Sequence, residues 1–176
     1  MKKAGLSVST LLFAMVFAAV AYAASARYQV PGLFHFDYPG DQWKVQTGIE
    51  NELDWLVLTD ENVQDPNDAK VNFHAKVFQA EIPLDSLIDN YIAKVKGLGY
   101  ATFISRDKFT TDEGDEGYKL AWQLNDGEFA SQYFFAARDN NKIEIGGTSP
   151  FDERGKYEPI FDGFAKSMII QSFSAQ

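Results

Sequence analysis

Imidazole is the scarcest reactive group in the chain, supplied by His35 and His74 alone, and thiol is absent. Without Cys there is no disulfide, no thiolate metal site and no cysteine nucleophile. The two histidines lack the i, i+4 helical spacing that makes a zinc motif specific. Both fall on the polar faces of strand-like segments, where solvent is their expected partner. A serine hydrolase of the nucleophile-elbow type needs G-x-S-x-G, and no such pentapeptide occurs. Gly146-Gly147-Thr148-Ser149 lacks the Lys and the spacing of a phosphate-binding loop and reads as a strand end leading towards the last helix.

Carboxylates are plentiful, with 25 Asp and Glu against 16 Lys and Arg. Asp60-Glu61-Asn62-Val63-Gln64-Asp65 begins like an EF-hand loop, but Asp65 stands where the loop needs Gly and Val71 where it needs a bidentate Glu. The run Asp112 to Gly117 places four carboxylates in one turn. Calcium is the hard cation such a turn would collect, and a solvated hairpin tip is the plainer reading. An acid pair for glycoside hydrolysis cannot be picked out from spacing. No catalytic residue, cofactor-binding residue or metal ligand is therefore assigned, and no cofactor is expected.

The elements that must hold these residues begin after a leader. Lys2 and Lys3 precede an apolar run from Leu11 to Val20 and small residues at Ala21, Ala23, Ala24 and Ala26, the pattern of a signal peptide over residues 1–26 cleaved after Ala23 or Ala26. The run is shorter than the roughly 20 residues of a membrane span. No Cys follows it to accept a lipid. Cleavage leaves a single domain, 27–176, in the periplasm or secreted, with 14 basic and 25 acidic groups, a net charge of −11. Such a charge repels phosphate backbones and anionic lipid, so nucleic acid is not an expected partner and membrane insertion is not expected after cleavage.

Within that domain Phe34, Phe36 and Tyr38 alternate with His35 and Asp37, and Pro39-Gly40-Asp41 turns the chain. Short strands are predicted at Trp43–Val45 and Leu53–Thr59, the latter with Leu53, Trp55 and Val57 on one face, followed by a polar loop from Asp60 to Lys70. In the next strand Val71, Phe73, Ala75 and Val77 face the core. Leu84, Leu87, Ile88, Tyr91, Ile92, Val95 and Leu98 then recur at helical spacing between Pro83 and Gly99, with Asp85 and Ser86 as acceptors near the start and Gly97 or Gly99 as the left-handed cap. Strand character resumes at Tyr100–Phe109. A meander follows over Tyr118–Leu124, Glu128–Arg138 and Lys142–Thr148, turned by Asn125-Asp126-Gly127 and Asp139-Asn140-Asn141. A closing helix is predicted over Tyr157–Ile170, with Pro159 in its first turn. Phe78, Phe134 and Tyr157 fall opposite the main stripes, either as a recognition patch or, for Phe78 and Phe134, under a helix covering the second sheet face; the covered reading is preferred. The order of elements is α+β, a largely antiparallel β-sheet with helices packed on it.

With these elements placed, the chain resembles the PsbP/Mog1-like family. The likeness rests on Phe36-Asp37-Tyr38-Pro39 followed by Trp43, the helix with Leu87 and Tyr91, Gly117-Tyr118 opening the meander, and Phe164 with Ser172-Phe173 at the close. It spans most of residues 33–173. It implies an antiparallel sheet sandwiched by helices. It also implies a non-enzymatic binding or assembly role: plant and cyanobacterial members support the oxygen-evolving side of photosystem II, and a eukaryotic member binds a small GTPase. No partner-binding motif matches residue by residue, so no site is carried over. The expectation is an exported non-catalytic module that binds a protein or envelope component. A small-molecule or calcium-binding protein is the alternative, and an unrecognised hydrolase comes third.

Overall fold

Apolar residues recurring at every second position, as at Val71, Phe73, Ala75 and Val77, set the sheet. The computed structural model describes residues 25–40, 43–50, 53–59 and 70–171, with residues 44–50 and 53–59 described by their backbone. Residues 1–24 of the expected leader, the EF-hand-like run, Ser172 and Phe173 lie outside the described residues, as does the face assigned to Leu53, Trp55 and Val57. In chain order the elements are β1 (Ser25–Val30), β2 (Phe34–Pro39), β3 (Lys44–Glu50), β4 (Leu53–Thr59), β5 (Asn72–Gln79) and α1 (Leu84–Leu98). They continue with β6 (Ala101–Thr110), β7 (Glu116–Leu124), β8 (Glu128–Ala136), β9 (Asn141–Pro150), α2 (Arg154–Lys166) and β10 (Ile169–Ile170). The large sheet has the order β3-β4-β5-β9-β8-β7-β6, a small one the order β1-β2-β10, and neighbouring strands are antiparallel throughout.

Period-two geometry sends successive side chains of one strand to opposite faces, so β8 feeds two cores at once. Tyr133 and Phe135 join Phe73, Ala75, Val77, Ile143 and Ile145 beneath α2 and the small sheet. Ala130 and Phe134 join Tyr118, Leu120 and Trp122 beneath α1. Phe134 is thus covered, as the preferred reading expects, and Tyr157 is buried in the first core. Gly147 faces α2 so closely that a Cβ there would lie 2.4 Å from the Phe161 ring. The Gly-Gly pair is therefore part of the strand itself, which runs on to Pro150. Asp139 and Asn140 take φ of 54° and 60°, the paired left-handed conformation of a two-residue hairpin between β8 and β9.

The helices depart from expectation at their ends. Gly99 supplies the left-handed cap of α1 at φ 71°, but its N-cap is Pro83 with no side-chain cap. Asp85 instead accepts from the Tyr118 hydroxyl and from Arg106, at 2.9 Å. Charge-assisted bonds to a neighbouring strand outcompete a bond to the helix's own N–H groups. The last helix starts at Arg154, three residues before Tyr157, launched by a 3₁₀ turn over Phe151–Glu153, so Pro159 sits inside it. The missing Pro159 N–H would have met the carbonyl of Gly155, a residue with open space around it. The helix ends at Lys166, and Ile169–Ile170 pair with β2 at His35 and Phe34. Apolar periodicity carries on past the helix because Met168 and Ile170 fill the same core. The β1 strand, unread in the sequence, pairs with β2 from Ser25↔Pro39 to Val30↔Phe34.

Candidate binding cleft

α1 covers only part of the sheet face it packs on, and the uncovered border beside it creates the site. Ile88 and Val95 are fully covered, and Leu84, Tyr91 and Ile92 partly so, while Leu98 is 61 % exposed. The helix lies over β6 to β8, which leaves the β5 and β9 part of that sheet face beside it. A cleft of about 230 Å³ opens at this border, lined by Lys76, Phe78, Leu87, Tyr91, Phe134 and Glu144. A second, of about 180 Å³, lies further along the helix among Tyr91, Val95, Tyr100, Trp122, Gln132 and Thr148. Tyr91 belongs to both.

The floor carries a polar chain whose orientation is fixed. An indole N–H only donates, so the 3.0 Å bond from Trp122 Nε1 identifies the Gln132 atom it meets as Oε1. Gln132 Nε2 therefore points the other way, donating to the Tyr91 hydroxyl at 2.6 Å and to Glu144 Oε1 at 3.3 Å. Glu144, 3 % exposed, receives Lys76 Nζ at 2.9 Å on its other oxygen, with His74 Nε2 3.8 Å away. Burial pushes the Glu144 carboxyl up, but His74 and the Lys76 charge outweigh it and hold the group below the usual carboxylate range. Burial is likewise the main cause that drives the Tyr91 phenol well above its ordinary value. His74 occupies space left by Gly146, where a Cβ would lie 2.7 Å from its ring.

His74, expected to meet solvent, is thus partly buried against a carboxylate, at 27 % side-chain exposure. His35 is far from this cleft in register, on β2 opposite Ile169. Neither Glu144 nor Gln132 stands out in the sequence; the one signal was a charged residue at Lys142 and at Glu144 alternating with Ile143 and Ile145. Phe78 is half-buried in the cleft wall. The acidic turn does not gather its carboxylates: Asp115 accepts from the Ile170 N–H at 3.4 Å and from Thr111. Among the described residues no three His, Asp or Glu side chains converge on a metal position, and no helix there is long and apolar enough to cross a membrane.

Both helices are fastened by ions. Arg106 bonds Asp85 and Asp89 at 2.9 and 2.6 Å, and Arg106 and Lys108 lie 4.4 and 4.2 Å from the Tyr118 ring centre. On the other face Lys119 reaches Glu158 and Asp162 at 2.8 and 2.7 Å, and the Tyr133 hydroxyl donates to Asp162 at 2.7 Å.

This arrangement of sheet, helices and small sheet is a PsbP-like fold. It superposes on the solution structure of cyanobacterial PsbP (CyanoP) from Synechocystis sp. PCC 6803 with a TM-score of 0.61 and 17 % identity, covering 87 % of this chain and 96 % of that one. A Pseudomonas aeruginosa protein of unknown function, PA94, matches with a TM-score of 0.55 and 10 % identity over 85 % of this chain and 99 % of its own. No family model matches the sequence, and no curated protein matches it significantly.

Proposed function

We propose that the protein is an exported, non-catalytic binding module that docks a protein or another envelope component. The observation that carries this reading is the apolar corner where α1 hands over to β6. Leu98 and Tyr100 are 61 % and 47 % exposed there, with Ile104, 38 % exposed, further along β6, the strand that ends the large sheet. Large apolar side chains grouped beside a terminal sheet strand are what protein docking sites offer. The ionisable groups support a non-catalytic role, because Glu144 is paired with Lys76 on the neighbouring strand and Asp162, Asp85 and Tyr118 are engaged in fastening helices to strands. Export is supported by Lys2, Lys3 and the apolar run that follows. Cleavage after Ala23 is the cut that leaves β1 whole, since cleavage after Ala26 removes its first two residues.

The test is capture from the native envelope fraction by the wild-type protein and by a Leu98→Lys, Tyr100→Lys double variant. A partner retained stoichiometrically by the first and lost by the second, at equal melting temperature, is the expected result. Equal capture by both, or no stoichiometric partner, removes the reading. A small-molecule role has its own observation in the cleft beside α1.

A further inference from the structure

We propose that the cleft lined by Lys76, Phe78, Leu87, Tyr91, Phe134 and Glu144 is a binding site for a small apolar monocarboxylate, an arylalkanoate in size and shape. The argument is one of unspent hydrogen-bonding capacity. An ammonium group has three N–H donors. Lys76 gives one to Glu144, and among the described residues no other acceptor takes the rest. The Tyr91 hydroxyl is already an acceptor for Gln132, and among the described residues its own proton meets no acceptor. Glu144, by contrast, has both oxygens engaged, by Lys76 and by Gln132. The polar capacity left in the cleft is thus made of donors, one of them cationic, and the ligand group that answers it is an anionic acceptor.

The rest of the wall fixes the ligand's body. Phe78, Leu87 and Phe134 offer two aromatic rings and a branched aliphatic group, which suit a ring or short chain carrying the carboxylate at one end. The protein's net negative charge does not forbid such an anion, because at physiological ionic strength charges beyond about 8 Å are largely screened. Glu144, the carboxylate in the cleft lining, is itself paired with Lys76 and Gln132. The inference stands apart from the docking reading, which uses Leu98, Tyr100 and Ile104, so one can fail without the other.

Titration of the protein with 3-phenylpropionate, followed by amide chemical shifts, tests it. Saturable shifts centred on Phe78, Leu87, Tyr91, Phe134 and Glu144 are expected, with 3-phenylpropanol bound at least tenfold more weakly. Tyr91→Phe is expected to weaken the acid about threefold to tenfold, since the Gln132 amide keeps Glu144 as partner. Lys76→Met is expected to cost more than tenfold. Because losing Lys76 leaves Glu144 short of its cation, Phe78→Trp serves as a second variant, which narrows the cleft and blocks the acid while leaving the polar chain intact. Absence of saturable shifts, shifts centred elsewhere, or equal binding of the alcohol overturns the proposal. So does binding of a peptide's apolar C-terminus without binding of the free acid.

Discussion

At the scale of single residues the most constrained positions are those with least side chain. Gly146 and Gly147 are neighbours in β9, and each clears room for a ring on its own face, His74 on one and Phe161 on the other. Phe161 is fully buried and packs against Phe73 and Tyr157 at centroid distances of 5.8 and 6.3 Å, so it has no slack to give. Gly147→Ala is therefore expected to cost about 1–3 kcal/mol, the range for overfilling a packed core, measured as a shift of the urea midpoint without change in slope. Gly127 is the contrasting case: it has open space around it, and its φ of 87° alone sets the penalty for a side chain. The two glycines of β9 were visible in the sequence as a Gly-rich stretch, but their purpose was not, because the rings they accommodate come from residues more than ten positions away.

At the scale of elements, α1 was the clearest feature of the sequence and also the most instructive mismatch. Its seven apolar positions announced the helix, and Gly99 its end. Spacing does not say how much of a stripe the sheet will cover. Ile88 is fully buried and Ile92 only partly, so Ile88→Ala is expected to cost about 2–5 kcal/mol. Leu98→Ala, at an exposed position, should stay within about 0.5 kcal/mol; thermal melts of the two variants make the comparison. The incomplete coverage is what produces the cleft, and the sequence held no sign of it, since the register Lys76↔Glu144 belongs to a pairing between strands far apart in the chain. The short end strands are illegible in the sequence for a related reason. Both β1 and β10 are defined by β2 lying between them, and two residues such as Ile169 and Ile170 carry no period of their own. The closing helix is shorter than its apolar periodicity because Met168 and Ile170, beyond it, keep filling the core it serves.

At the scale of the whole molecule, one phenol on each side of the sheet, partly buried at Tyr91 and fully at Tyr133, ties stability to pH. Tyr91 under α1 and Tyr133 under α2 are both held above the ordinary tyrosine value, chiefly by burial, with Glu144 adding to the effect at the first and Asp162 at the second. A folded-state value raised above the unfolded one means that the folded protein keeps a proton the unfolded chain gives up. Stability is therefore full below the unfolded value of about 10 and declines as pH rises past it. Alkaline unfolding is expected to begin there, with tyrosinate absorption rising in step with loss of circular dichroism for these two groups. The Tyr91→Phe, Tyr133→Phe double variant should unfold at higher pH than the wild type; an unchanged midpoint would count against the assignment.

The small sheet has a mechanical consequence. β1 and β10 lie on either side of β2 and run parallel to each other, so the chain enters at the Pro39 end of β2 and leaves past its Phe34 end, where the Gln171 N–H still bonds Leu33 at 2.8 Å. Tension applied between those two points slides the outer strands along the middle one in opposite senses and strains their cross-links simultaneously, the geometry that holds, instead of peeling them apart in sequence, the geometry that yields.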